Sequence, residues 1–274
     1  MRKTLTAGLA AGIVLAAGVA LPANAISSSS ADLSVLHAIP GLTVDVYVDG
    51  ALTLDDFTPG TLAGPLDVPA GEHVVAVTAA DAADASAPLL GPVTLNLAAD
   101  TSYTAVANLD ASGNPALNAF TNDISATKAG EGRLTVRHTA AAPAVDILAG
   151  GSPVVQMLEN PNEATLNLPA GTVSAAVALA GTTDPVIGPA DVAIKDGTLT
   201  VVYAWGSAAD GNLALAVQEV PTAHSNPGGV PSGTAGYAAQ RDAQNQALWL
   251  TGSALVVAAG VATTVLVRRR RVES

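Results

Sequence analysis

Cysteine is absent from this chain of 274 residues, and aromatic residues make up only 3% of it. The lack of thiols excludes disulfides, thiol catalysis and thiolate metal sites, so a folded region must be held together by its own core. The chain also lacks the nucleophile elbow, the zinc-protease motif and the glycine-rich nucleotide-binding motifs. These absences disfavour an enzyme and imply no cofactor. A hydrolase built on two carboxylates is the most distant of the functions considered.

Basic residues are scarce in the central part of the chain. Residues 26–246 contain 22 acidic and five basic side chains, a net charge of −17. This charge argues against nucleic acid as a partner, because binding it requires cations that replace phosphate counterions. It favours solubility on an anionic cell surface, and it leaves cations, neutral glycans and basic proteins as candidate partners.

The N-terminal end has the pattern of a signal peptide over residues 1–25. Two basic residues precede an apolar stretch, and Ala23 and Ala25 form an A-x-A cleavage site. A short serine-rich spacer follows over residues 26–32. We therefore expect the chain to be exported, with its central part facing outward.

An apolar segment over residues 247–267 ends at four arginines, Arg268, Arg269, Arg270 and Arg271. Its length matches the roughly 20 residues that a helix needs to cross the hydrocarbon core. The arginines favour a cytoplasmic position for the tail, residues 268–274. This pattern predicts a single-pass type I membrane protein with an extracellular ectodomain.

The same segment has a second interpretation. Trp249, Thr251 and Gly252 belong to a Leu-Trp-Leu-Thr-Gly sequence that resembles the L-P-x-T-G sorting signal of Gram-positive wall proteins. Trp249 stands where that signal has proline. The segment is therefore either a plain membrane span, with Trp249 at the outer interface, or a sorting signal cut between Thr251 and Gly252 that links the protein covalently to the wall.

The ectodomain has the pattern of an all-β protein. Short runs of Val, Leu, Thr and Ala are separated by Gly, Pro, Asn and Asp, and residues 43–48 alternate between apolar and other side chains. Strands of this length and spacing predict a β-sandwich or barrel. Residues 221–246 are rich in small and polar residues, which is typical of a flexible stalk.

The β pattern occurs twice. Residues 35–50 match residues 136–151 in register, and further matches follow at an offset of about one hundred residues. We therefore predict a tandem duplication, with one domain at residues 33–126 and a second at residues 131–220. Each copy is expected to form an immunoglobulin-like antiparallel β-sandwich of about seven strands.

The first copy resembles a known family. Residues 35–50 read Val-Leu-His-Ala-Ile-Pro-Gly-Leu-Thr-Val-Asp-Val-Tyr-Val-Asp-Gly, and residues 66–71 end in a Pro-Ala-Gly turn. This pattern is similar to the bacterial domain-of-unknown-function family 4397. The second copy is a weaker match that keeps His138, Asp146 and the turn. The resemblance implies exported, surface-associated β-sandwich domains and brings no established activity.

The repeated pairs His37 with Asp45 and His138 with Asp146 are the first candidates for a ligand-binding site. If the strands on either side of the turn form one hairpin, the two members of a pair face each other within salt-bridge reach. Such a couple would orient a general base or supply two metal ligands. The structural alternative is a hydrogen bond that fixes the hairpin.

Two further groups of side chains are candidates. Tyr203 and Trp205 project from one face of a strand, either as a platform for a ligand or as part of the core of the second sandwich. An acidic cluster in the first copy suggests calcium, but its spacing matches no calcium-binding loop, which favours solvated carboxylates; its members are Asp45, Asp49, Asp55 and Asp56.

The sequence thus predicts a non-enzymatic protein of the cell envelope that displays two β-sandwich modules in a structural or adhesive role. The alternative is a module that binds a cell-wall glycan or a divalent cation. The membrane, through the C-terminal helix, and other surface proteins are the remaining expected partners.

Overall fold

The structure, a computed structural model, describes residues 26–222, and this range contains two successive sets of eight β-strands. The first set comprises β1 (Ser30–Ala38), β2 (Val44–Val48), β3 (Ala51–Phe57), β4 (Leu62–Pro69), β5 (Gly71–Ala79), β6 (Leu90–Leu97), β7 (Ser102–Leu109) and β8 (Pro115–Asn122). The second comprises β9 (Glu131–Ala141), β10 (Val145–Ala149), β11 (Ser152–Leu158), β12 (Glu163–Pro169), β13 (Gly171–Leu179), β14 (Pro185–Ile194), β15 (Thr198–Ser207) and β16 (Ala214–Pro221).

Each set forms two four-stranded sheets that pack face to face as a β-sandwich. The first sandwich has the strand orders β4-β1-β7-β8 and β3-β2-β5-β6, and the second has β12-β9-β15-β16 and β11-β10-β13-β14. The second sandwich therefore repeats the strand order of the first. In both, the first and seventh strands run parallel, while the other neighbours are antiparallel.

The all-β sandwich architecture is confirmed, but the finer prediction is wrong in three respects. Each sandwich has eight strands instead of about seven, one of its two sheets is mixed instead of antiparallel, and the sheet orders differ from the four-plus-three arrangement of immunoglobulin domains. The physical reason is that alternation and turn residues locate a strand without identifying its partner. The parallel pairing of β1 with β7 joins strands that are distant in sequence.

Each sandwich has its own apolar core, formed by the side chains that point inward at every second position of a strand. In the first, Leu33 and Val35 of β1 pack against Val46 and Val77 of the opposite sheet. In the second, Leu134, Val136, Ile147 and Val177 form the equivalent contacts. Burial of each such side chain contributes roughly 1.5–3 kcal/mol, which lets both domains fold without disulfides.

A third apolar layer lies between the two sandwiches. The sheets β4-β1-β7-β8 and β12-β9-β15-β16 turn their outer faces towards each other, and Leu36, Val106, Val201 and Tyr203 form a buried cluster there. The central strands of these sheets are consequently buried on both faces. The residues from β1 to β16 therefore form four stacked sheets within one compact unit.

Residues 26–222 include no helix with the length and hydrophobicity needed to cross a bilayer. The predicted signal peptide with Ala23 and Ala25, most of the predicted stalk, and the anchor with Trp249, Thr251, Gly252 and its arginines lie outside the described residues.

Candidate functional site

His37 closes the turn that leads from β1 to β2. Its Nε2 lies 2.7 Å from the carbonyl oxygen of Leu42, and its Nδ1 accepts a hydrogen bond of 3.4 Å from the amide of Ile39. This pattern fits a neutral imidazole that donates from Nε2 and accepts at Nδ1. Burial lowers the pKa of His37 below its ordinary value, and the bond to the Leu42 carbonyl opposes this shift.

His138 has the same role in the second sandwich. Its Nε2 lies 3.0 Å from the carbonyl oxygen of Pro143, and its Nδ1 accepts from the amide of Ala140 at 3.4 Å. Burial lowers the pKa of His138 as well, and the bond to Pro143 opposes the shift. In each sandwich, one buried neutral histidine thus forms hydrogen bonds with the backbone of the turn that crosses from one sheet to the other.

Asp45 and Asp146 form hydrogen bonds with the backbone of the hairpins β2–β3 and β10–β11. Asp45 Oδ1 accepts a hydrogen bond from the amide of Asp56, and Asp146 Oδ1 accepts one from the amide of Met157, both at 2.9 Å. Asp56 and Met157 have positive φ angles, and the register of each hairpin shifts beside them. Each carboxylate therefore stabilises an irregular backbone position of the type found at β-bulges.

The predicted histidine–aspartate couples are wrong. His37 and Asp45 lie on β1 and β2, which belong to different sheets, and the same holds for His138 and Asp146 on β9 and β10. Each member bonds to a different part of the backbone. The physical reason is that the turn between the two strands carries the chain across the sandwich and does not form a hairpin. These side chains therefore fit structural roles.

The acidic cluster of the first sandwich is divided among separate contacts. Asp45 is buried against the β3 backbone, whereas Asp49 pairs with His73 at 2.7 Å, and Asp55 and Asp56 are exposed. The bond to Asp49 raises the pKa of His73, as does the carbonyl of Pro69. Within residues 26–222, no group of three His, Asp or Glu side chains is arranged to hold a metal ion.

Tyr203 is fully buried between the two sandwiches. Its hydroxyl donates to Gln218 Oε1 at 2.6 Å and accepts from Arg137 Nη1 at 2.8 Å. Burial raises its pKa above the ordinary value, an effect that the neighbouring Arg137 opposes. Tyr203 therefore belongs neither to an exposed platform nor to the core of the second sandwich.

Trp205 lies on the same face of β15 and packs into the same layer. A side chain at Gly60, in the loop between β3 and β4, would lie 2.9 Å from the edge of its ring. The indole is thus covered by the first sandwich, and its buried Nε1 has no hydrogen-bond partner among the described residues. The two aromatic residues predicted as a platform instead join the sandwiches.

Arg137, on β9, makes contacts both within its own sandwich and with the first sandwich. Nε donates to Glu163 Oε2 at 2.7 Å, and Nη2 donates to the carbonyl of Thr121 on the first sandwich at 3.3 Å. The guanidinium also lies over the ring of Phe120, 4.5 Å from its centroid. The side chain of Arg137 is only 1% exposed, whereas its partner Glu163 is partly exposed to solvent.

Further bonds join the sandwiches along their length. Thr104 donates to Gln218 at 3.0 Å, and Asn160 Nδ2 donates to the carbonyl of Leu109 at 2.9 Å. Arg133 Nη1 donates to the carbonyl of Asp123 at 2.6 Å, in the connection between the two sandwiches. Buried polar groups that bond across an interface fix one relative orientation, because any other would leave them unpaired.

A cleft of about 410 Å³ lies between the first and last strands of this unit; most of its lining is apolar, and we call it the polar cleft because several polar side chains also line it. Ser34, Ser102, Gln218 and Thr222 contribute polar side chains, and Thr222 is buried with a hydroxyl that has no partner among the described residues. A concave, mainly apolar site with a few polar groups is the geometry expected for a small-molecule site.

The cleft is acidic. Asp32 and Asp100 line it, while the third carboxylate, Glu219, is paired with Lys195 at 2.6 Å. Burial raises the pKa of Asp32 above its ordinary value, and the neighbouring charge of Asp67 adds to the shift. A positively charged ligand beside Asp32 would relieve the repulsion between Asp32 and Asp67.

Most of these residues could not be recognised as candidates from the sequence. Asp32, Thr104, Gln218 and Thr222 belong to no motif, and their proximity depends on the packing of two sheets. Arg137 did carry a signal, because it is one of few basic residues between residues 26 and 246 and occupies the strand position that Leu36 has in the first sandwich. A charged residue replacing a buried leucine indicates that this face meets a different environment.

Residues 31–148 match the family described as Domain of unknown function (DUF4397). The family expected from the sequence is therefore confirmed over this range, which runs from β1 to β10. No curated protein matches the chain.

Proposed function

We propose that this chain, with its DUF4397 segment at residues 31–148, is a non-enzymatic protein of the cell envelope. In this proposal it displays two β-sandwiches as one rigid body, in a structural or adhesive role. The observation that carries the proposal is the buried interface between them, where Thr104 donates to Gln218 and Arg137 donates to the carbonyl of Thr121 from one sandwich to the other.

The predicted signal peptide and C-terminal apolar segment support a position on the outer face of the membrane. A module held at this surface needs to keep its loops in a fixed arrangement. The four stacked sheets supply such a scaffold, and loops at the ends of a rigid scaffold are free to contact a partner.

The location is tested with the full chain in a Gram-positive host. Protease or antibody applied to intact cells is expected to reach the sandwiches, and a chain that ends at residue 246 is expected in the medium. Release by muramidase of a product that ends at Thr251 would favour wall attachment over a plain membrane span. Retention of the full chain in the cytosol would contradict the proposal.

A second candidate function is the binding of a positively charged ligand in the polar cleft. Asp32 on β1 occupies the position that Arg133 has on β9 of the second sandwich. Asp32 pairs with Ser102 at the start of β7, and Arg133 pairs with Leu199 near the start of β15, the strand that corresponds to β7. Arg133 places its guanidinium against backbone carbonyls at the edge of the interface. The cleft beside Asp32 offers carboxylates where the second sandwich has a cation, which favours an amine or guanidinium ligand.

Calorimetry on the full chain tests this candidate, with an arginine amide, divalent cations and a purified wall glycan as probes. Saturable binding of the arginine amide is expected for the unmodified chain and is expected to fall at least tenfold in Asp32→Asn. Asp84→Asn, a change in an exposed loop, is the control. Equal binding by both variants, or binding of the glycan alone, would contradict this assignment.

A further inference from the structure

The interior of the second sandwich contains an apolar cavity of about 120 Å³. Its lining residues are all aliphatic and come from both sheets, among them Leu134 and Val202 on one side and Ala149, Ala175 and Val192 on the other. The first sandwich has the same strand order, but the corresponding space is about 10 Å³. The cavity is therefore a specific property of the second sandwich and does not follow from its topology.

Two alanines account for part of this difference. Val48 pairs with Val75 in the first sandwich, and Ala149 pairs with Ala175 at the equivalent register of the second. Each exchange of valine for alanine removes two carbon atoms from a position that lines the space. The two losses are adjacent because the residues are cross-strand partners.

The other positions do not all change in the same direction. Leu95 of β6 corresponds to Val192 of β14, since they pair with His73 and Val173 respectively. Phe57 also corresponds to the smaller Leu158, which does not line the cavity, whereas Val46 corresponds to the larger Ile147, which does. Smaller side chains thus occur on β10, β11, β13 and β14, which together form one sheet of the second sandwich.

A void of this size is unusual, because protein interiors pack as densely as organic crystals and contain few spaces larger than a water molecule. Water is poorly held where there are no polar partners, whereas an apolar cavity of roughly 150 Å³ in another protein accepts benzene or xenon. Val154 lines the cavity and is 46% exposed, so the cavity extends to the surface at β11.

We propose that this cavity is a binding site for a small hydrocarbon of benzene size or less. Its volume sets the upper limit, and its aliphatic lining excludes ligands that need a hydrogen bond inside the site. The path beside Val154 gives such a ligand a route of entry. The site is separate from the polar cleft and goes beyond the proposed display function.

Methyl NMR spectra of the full chain, recorded with increasing xenon and separately with benzene, test the proposal. The methyl signals of Ala149, Ala175 and Val192 are expected to show saturable shifts, while those of Val48 and Val75 in the first sandwich stay unchanged. A readout resolved by residue distinguishes the cavity from general partition into detergent or lipid.

The matched variant Ala149→Val/Ala175→Val gives the second sandwich the side chains of the first and is expected to abolish the saturable shift at Val192. Ala175→Val alone and Val192→Leu provide milder fillings if the double variant fails to fold. Ala119→Val, on an exposed position of β8, is the control and is expected to leave binding intact. No saturable shift in the unmodified chain, or equal shifts in the filled variants, would overturn the proposal.

Discussion

At the scale of single residues, the two buried histidines and the two buried aspartates hold backbone in place. His37 and His138 use both ring nitrogens on the backbone of a turn, and Asp45 and Asp146 accept an amide from a residue with a positive φ angle. Such local bonds explain why a His and an Asp recur at the same spacing in both sandwiches without forming a catalytic pair. The recurring histidine and aspartate therefore indicate a turn structure that recurs in both sandwiches.

The independence of the two side chains is open to a double-mutant cycle. His37→Ala and Asp45→Ala are each expected to lower the free energy of unfolding by about 1–3 kcal/mol, because each leaves a backbone group without its partner. Since the two share no hydrogen bond, their coupling energy is expected to stay below about 0.5 kcal/mol. Chemical denaturation of the four proteins measures it, and a coupling of about 1 kcal/mol or more would restore the direct pair.

The same histidines predict a loss of stability in acid. Their folded-state pKa values are lowered from 6.5, so below about pH 6.5 the unfolded chain binds more protons than the folded one. Stability is then lost as the pH falls from about 6.5 towards the folded-state pKa values. His73 acts oppositely, because its raised pKa gives stability that is present below about pH 6.5 and lost as pH rises through the folded value.

Denaturation at about pH 7.5 and about pH 5.5 separates these contributions. In the double variant His37→Gln/His138→Gln, which keeps a polar side chain that does not titrate, the loss of stability on acidification is expected to be smaller than in the unmodified chain. His73→Gln serves as the comparison and is expected to make the loss larger. An equal loss in all three proteins would show that the buried histidines do not govern the response.

At the scale of elements, alternation and turn residues were sufficient to predict strands, two sandwiches and the core positions of β2. These signals could not predict what covers the outer face of β15. An apolar face has the same sequence pattern whether it contacts solvent, a ligand or another sheet. Tyr203 and Trp205 were correctly placed on one face, but the partner of that face is the first sandwich. Contacts between separately folded sheets leave no periodic signal in the sequence.

Substitution of Arg137 tests how much this interface contributes to the stability of the protein. Arg137→Leu, which installs the residue found at the equivalent position of the first sandwich, is expected to lower the free energy of unfolding by about 2–4 kcal/mol, because it removes the hydrogen bonds that the buried guanidinium donates to Glu163, Tyr203 and the carbonyl of Thr121. Lys195→Ala removes an exposed ion pair with Glu219 and is expected to cost less than about 1 kcal/mol. Urea titrations measure both changes, and comparable small losses would mean that Arg137 contributes little.

At the scale of the whole molecule, the described residues form one unit in which two sandwiches share a buried layer. Burial of polar groups in this layer favours a single relative orientation of the sandwiches. An acidic, disulfide-free body of this kind suits a fixed support at a cell surface better than a pair of domains that move independently. The polar cleft between its first and last strands depends on the same orientation.

The most direct test is a distance measurement between spin labels on the two outer sheets, which the absence of native cysteine makes straightforward. Asp55→Cys on β3 and Gln156→Cys on β11 place one label on each sandwich at exposed positions. In the full chain, the account predicts a single narrow distance distribution that broadens when Arg137→Leu is added. A broad or multiple distribution in the chain without Arg137→Leu would contradict the rigid joining of the two sandwiches.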